Sequence, residues 1–128
     1  ENSMTGSKAI VATVCAAQGD GLFIRVDAIP EGYAPVPAAG DLNGKPAQVC
    51  MHSESGHDHC VDATQAIMYE GPNPSVAYLR LAEDTAHVVH KRGFDTHGTL
   101  ALTGGTGAVW SVVRQREWDG AAARRAAD

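Results

Sequence analysis

The sequence predicts an all-β domain, an antiparallel barrel or sandwich, and three observations carry that expectation. Eight short segments alternate apolar with polar residues or are rich in β-branched ones. Turn-forming residues separate most of them, and only the Ala- and Arg-rich end of the chain has helical composition.

Taken in order, strands are expected at Ala9–Ala16 and Gly21–Ala28, with turn chemistry at Gln18-Gly-Asp-Gly21 between them. The stretch Ile29 to Pro46 holds Pro30, Pro35, Pro37 and Pro46 with Gly32, Gly40 and Gly44, so no central strand fits there. It reads as a long ordered loop, of a length that suits a lid or binding loop. Further strands follow at Ala47–His52, His59–Tyr69, Ser75–Leu81, Ala86–Arg92, Gly98–Thr103 and Ala108–Trp118. Ser53-Glu-Ser-Gly56, Gly71-Pro-Asn-Pro74, Glu83-Asp84 and Phe94-Asp95 punctuate them, and Gly120 to Asp128 reads as a short helical tail.

A chain of 128 residues suits one domain, 1–128, with residues 1–3 reading as an added leader ahead of Met4 and 119–128 as a tail. A net charge of −5 and basic features no longer than Lys91-Arg92 and Arg124-Arg125 argue against nucleic acid as the main partner. No apolar run approaches the roughly 20 residues that span a bilayer, and no signal-peptide order follows Met4, so a soluble cytoplasmic protein is expected. Three cysteines, Cys15, Cys50 and Cys60, lack metal-ligand spacing and suit reduced, buried thiols. The abundance of Ala, Gly, Val, Arg and Asp matches a GC-rich bacterial genome.

The most specific local feature is Gly98-Thr-Leu-Ala-Leu-Thr-Gly-Gly-Thr-Gly107. A phosphate-cradling reading fails on context: the residues after Gly107 have strand composition, and neither G-x-G-x-x-G nor G-x-x-x-x-G-K-[ST] fits. A hairpin corner that closes a sheet fits better. In the strand leaving it, Trp110, Val112, Arg114, Arg116 and Trp118 share one face, opposite Val109, Ser111, Val113, Gln115 and Glu117.

The run His52-Ser-Glu-Ser-Gly-His57-Asp58-His59-Cys60 gathers three histidines, a carboxylate and a thiol. His57 and His59 point to one side of an extended chain, which leaves a cupin-like metal site open. The glutamate expected soon after such an H-x-H is missing, since Val61-Asp-Ala-Thr64 supplies only Asp62. Otherwise these are loop-end histidines, one of which can act as proton donor or base.

The glycine corner, Asp84-Thr-Ala-His87-Val88-Val89 upstream of it, Gly40-Asp41-Leu42 in the proline-rich loop, and Cys60 opening a strand about two dozen residues before Asp84 together resemble the allene oxide cyclase-like barrel family. Plant dirigent proteins and bacterial spirotetronate-forming cyclases are related to that family. The resemblance runs from about Gly21 to Trp118. Arg114 departs from it by standing where a second glycine is common, and Phe23-Ile-Arg-Val-Asp27 lacks the plant cyclases' glutamate and asparagine, so allene oxide is not the expected substrate.

The resemblance implies an eight-stranded antiparallel β-barrel with an apolar cavity, assembled as a homodimer or homotrimer. It implies a cofactor-free cyclase that folds an apolar intermediate, a polyketide in the spirotetronate branch, for intramolecular cyclisation or cycloaddition. Trp118 would form a flat cavity wall, and Arg116 would polarise a carbonyl or enolate. His59 would serve as acid or base, Cys60 would orient substrate, and Trp110, Tyr69, Tyr78, Asp27 and Asp41 would contact it. No metal or organic cofactor is implied. The alternatives are a dirigent-type barrel that binds a small ligand without chemistry, and a metal-dependent cupin-like enzyme using His57 and His59.

Overall fold

Short runs of alternating apolar residues, each ended by a turn, can bury one face only by stacking sheet on sheet or by closing a barrel. A computed structural model shows which occurs, describing residues 10–52, 58–90 and 99–114. In chain order the strands are β1 (Ile10–Ala12), β2 (Cys15–Gln18), β3 (Gly21–Val26), β4 (Ala34–Pro35), β5 (Gly40–Leu42), β6 (Lys45–Met51), β7 (His59–Asp62), β8 (Ala66–Glu70), β9 (Val76–Leu81), β10 (Ala86–His90), β11 (Leu100–Leu102) and β12 (Val109–Arg114). They form two six-stranded sheets, ordered β1-β11-β10-β7-β6-β5 and β2-β3-β12-β9-β8-β4. All of the pairings are antiparallel except β1 with β11, which is parallel.

Both sheets are open, so the eight-stranded barrel implied by the resemblance does not form. No helix occurs among the described residues, and the expected helical tail at 120–128 lies outside them. The physical cause is that runs expected as single strands are divided between the sheets. Ala9–Ala16 breaks at Thr13-Val14: Ala12 O accepts from Thr103 N on one side, and Val14 O accepts from Arg25 N on the other. His59–Tyr69 breaks at 63–65, where Thr64 N and Oγ1 donate to Asp62 Oδ1 at 2.8 and 2.7 Å and Gln65 N donates to Asp62 O. The hydrogen bonds from Thr64 also hold the Asp62 carboxyl below its usual range. Pieces this short turn from one sheet to the other instead of extending one ladder round to its first strand.

The proline-rich stretch is not a bare loop. It contributes the edge strands β4 and β5, and Pro35 sits on an edge, where its missing N–H costs no ladder bond. Asn43 and Gly44, with φ of 54° and 85°, make the two-residue hairpin turn between β5 and β6, and Gly44 N donates to Asp41 Oδ2 at 3.2 Å.

The glycine corner joins β11 in one sheet to β12 in the other, so it is an arch between sheets and not a hairpin within one. Gly104, Gly105 and Gly107 take φ of 127°, 88° and 92°. Amides that a phosphate loop would present are used internally: Gly105 N donates to Asp84 O, Gly107 N to Leu81 O and Ala108 N to Gly105 O.

The inner faces enclose Phe23, Val61, Leu79, Leu81, Val88, Leu100, Leu102, Trp110 and Val112. Burying side chains of this size contributes about 1.5–3 kcal/mol each. Trp110 is fully buried, and its Nε1 donates to Thr103 O at 3.0 Å. No helix among the described residues is long and apolar enough to cross a membrane.

Trp110→Ala is expected to destabilise the domain by about 3–5 kcal/mol in urea unfolding, through the cavity and the abandoned Thr103 carbonyl. Gly107→Ala, with open space around its Cβ position, should lose only the left-handed backbone term of about 1–2 kcal/mol. Gly104→Ala should lose clearly more in the same assay, because its Cβ would also meet the Arg25 guanidinium and Ala108 Cβ.

Candidate functional site

One end of the sandwich gathers most of the polar chemistry that is not ordinary surface. There β2 turns into β3 at Gly19-Asp20, β6 ends at Met51, β7 begins at His59, β10 ends at His90 and β12 ends at Arg114. Register ties them together: His59 lies opposite Met51 and His90, and Gly21 lies opposite Gln18 and Arg114.

The buried half of this end is a histidine pair. Alternation places His59 on the face of Val61 and His90 on the face of Val88, both of which face the core. The rings stack with centroids 4.0 Å apart and planes 11° from parallel. Gln18 reaches across from the other sheet, its Nε2 donating to Val88 O at 2.8 Å and its Oε1 lying 2.8 Å from His59 Nδ1. A carbonyl oxygen only accepts, so the Gln18 amide has one orientation and His59 Nδ1 must be the donor. His59 Nε2 faces Asp20 Oδ1 at 3.3 Å. Gly19, at φ 57°, lets the turn approach this closely, since a Cβ there would lie 2.8 Å from His90 Cε1. Burial, reinforced by His90, pushes the His59 pKa down against the opposing pull of Asp20 and Asp58.

The open half is a pocket of about 280 Å³ between the sheet ends. Met51, Ala77 and Val112 give it apolar walls, and His52, Glu70, Asn73, Ser75 and Arg114 supply polar groups. The loop after β8 is shaped by Asn73, whose Oδ1 accepts from Ser75 N and whose O accepts from Val76 N. Cys50 also lines the pocket, from an irregularity in β6 between Val49 and Met51. Its thiol donates to His59 O at 3.3 Å, and burial, with Cys60 nearby, pushes its pKa far up, which silences it as a nucleophile.

Among the described residues, those expected to form a site lie in separate parts of the fold. Trp110 is core. Cys60 is buried on the opposite side of β7 from His59, opposite Val49 and Val89 and close beneath Gly40. Tyr69 and Tyr78 pair across β8 and β9 on the face of their sheet away from the core, where Tyr33 meets Tyr78 edge-on at 5.0 Å and Arg80 lies 5.6 Å from the Tyr69 ring centre. Asp27 is exposed beyond β3, and Asp41 is engaged in the β5–β6 turn. Arg116, Trp118 and His57 lie outside the described residues. His52 pairs with Asp58 at 3.1 Å in an exposed position.

Gln18, Asp20, His90 and Arg114 gained their place here only through the fold. The available signals were weak: His90 continues the inward alternation of Ala86 and Val88, and Arg114 that of Trp110 and Val112.

A family model described as a domain of unknown function (DUF8820) matches residues 17–115. The chain belongs to this family. Gln18, Asp20, His59, His90 and Arg114 all fall within the matched span. No curated protein and no solved structure matches the chain. Membership in DUF8820 and the two open sheets overturn the resemblance to the barrel cyclases. The cyclase reading and its dirigent-type alternative fall with the barrel, because the described strands form two open sheets and not a closed barrel around a cavity. Nor do the described residues offer the cupin-like alternative a metal site: no three His, Cys, Asp or Glu side chains are grouped among them to hold a metal ion, and both ring nitrogens of His59 face Gln18 and Asp20.

In native protein, Cys15 should react with a thiol reagent while Cys50 and Cys60 stay protected until denaturant is added, as read by peptide mass mapping.

Proposed function

We propose that this DUF8820 domain is a binding module that holds a small molecule with one anionic group in the pocket at the end of the sandwich. The observation that carries the reading is the placement of Arg114, on the core-facing side of β12, in the wall of a concave space of about 280 Å³ with an apolar floor. A guanidinium in such a site favours carboxylate or phosphate oxygens, through charge-assisted hydrogen bonds. Glu70 on the same lining disfavours a second negative charge and favours a ligand with a donor or cationic group at its other end.

Binding fits the local chemistry better than catalysis does. Cys50 is held as a thiol, and His59 is fully buried with its Nδ1–H committed to Gln18. The cytoplasmic placement belongs to the same proposal, supported by three cysteines that form no disulfide.

The test is an NMR titration of wild type and Arg114→Met with acetate, succinate, glycine and inorganic phosphate. At least one is expected to shift the amides of Val49–Met51 and of residues 73–77 saturably. The variant should bind it at least tenfold more weakly, in line with about 1.5–3 kcal/mol for a hydrogen bond to a charged group. Shifts confined to other parts of the fold, or equal affinity in the variant, would overturn the assignment.

A further inference from the structure

Among the described residues, the groups facing the His59 ring are His90 from β10, Gln18 at the end of β2 and Asp20 in the β2–β3 turn, while Asp58, just before β7, adds an electrostatic pull. From β6, Met51 is its register partner, and the Cys50 thiol bonds its carbonyl. Gln18 and Asp20 belong to one sheet, whereas His59, His90 and the Val88 carbonyl belong to the other. The stack is thus a polar fastening between two sheets whose inner faces otherwise meet mainly through the apolar core, with the Trp110–Thr103 hydrogen bond a second polar link.

We propose that the Gln18–His59–His90 stack is an acid-sensitive latch, fastened while both imidazoles are neutral and released when they take up protons. With Nδ1–H committed to Gln18, a proton can add to His59 only at Nε2, beside Asp20. Asp20 can balance one charge. A second imidazolium stacked at 4.0 Å sets two like charges face to face in the interior, where water screens them little. The sign follows from the depressed pKa of His59: its contribution to stability is complete above about pH 6.5, the ordinary histidine value, and is lost as pH falls from there through the folded-state pKa. The end that loosens is the one where Met51 walls the pocket, but the latch does not depend on the pocket having a ligand.

The experiment is ligand-free. Long-range ¹⁵N–¹H spectra of the imidazoles in the folded protein, recorded from pH 8 to 5, report tautomer and titration. They are paired with urea unfolding over the same range. At pH 8 His59 should be the Nδ1–H tautomer. Asp20→Asn removes the balancing charge and should move the His59 titration to lower pH. His90→Phe keeps a stacked ring without its charge and should move the titration up. In wild type, the folding equilibrium constant should drop at least tenfold between pH 6.5 and 5. In the His59→Asn/His90→Phe double variant, where the side-chain amide introduced on β7 can still donate to Gln18, the drop should be at least threefold smaller. An Nε2–H tautomer at pH 8, an upward or absent shift in Asp20→Asn, or an acid loss as large in the double variant as in wild type would each overturn the latch.

Discussion

The indole of Trp110 is the contact on which the arrangement depends. It lies near the start of β12 on its inner face, between β3 and β9, and packs in the core between the sheets. Its N–H bonds the carbonyl of Thr103, the residue just beyond β11 in the opposite sheet. One side chain therefore sets the depth of the core and holds the glycine arch in its folded-back path. It also sets the phase of β12, because alternation from Trp110 through Val112 brings Arg114 to the inner side at the strand's end.

Two kinds of polar environment meet at that end. Around His59 the polar groups face one another: Gln18 spans from the imidazole to the Val88 carbonyl, and Asp20 faces the other ring nitrogen. Around Arg114 the space is open and partly apolar. A polar cluster bridging the sheets serves to fasten and a lined cavity serves to receive, which is why the histidines are read as part of the fastening and the arginine as the recognition group.

The extended character of the chain and most turn positions were legible from residue pattern. The family resemblance was misleading for an identifiable reason. A Thr-Gly-Gly-Thr-Gly run answers a local demand, three positive-φ positions in a tight reversal, and an arch between two sheets makes that demand as well as a barrel corner does. The division of His59–Tyr69 was signalled only by Asp62 and Thr64, whose turn-forming hydrogen bonds are hidden among strand-like neighbours. Within the proline-rich stretch, Asn43-Gly44 carried a hairpin signal that the prolines around it masked. Of the candidate site residues, His59 alone among those described takes part in the polar end of the sandwich, and it does so as a buried, committed group.

Residue order alone determined that this chain forms strands, where most of them turn, and which side chains share a face, because period-two alternation and glycine backbone freedom act over a few residues. The tertiary structure decided which sheet each strand joins, that the sheets stay open, and that Gln18 meets His59 forty-one positions away and Val88 seventy positions away. Such pairings depend on ladder hydrogen bonds and core packing between distant segments. Local pattern does not encode them, since the same alternation serves either sheet equally well.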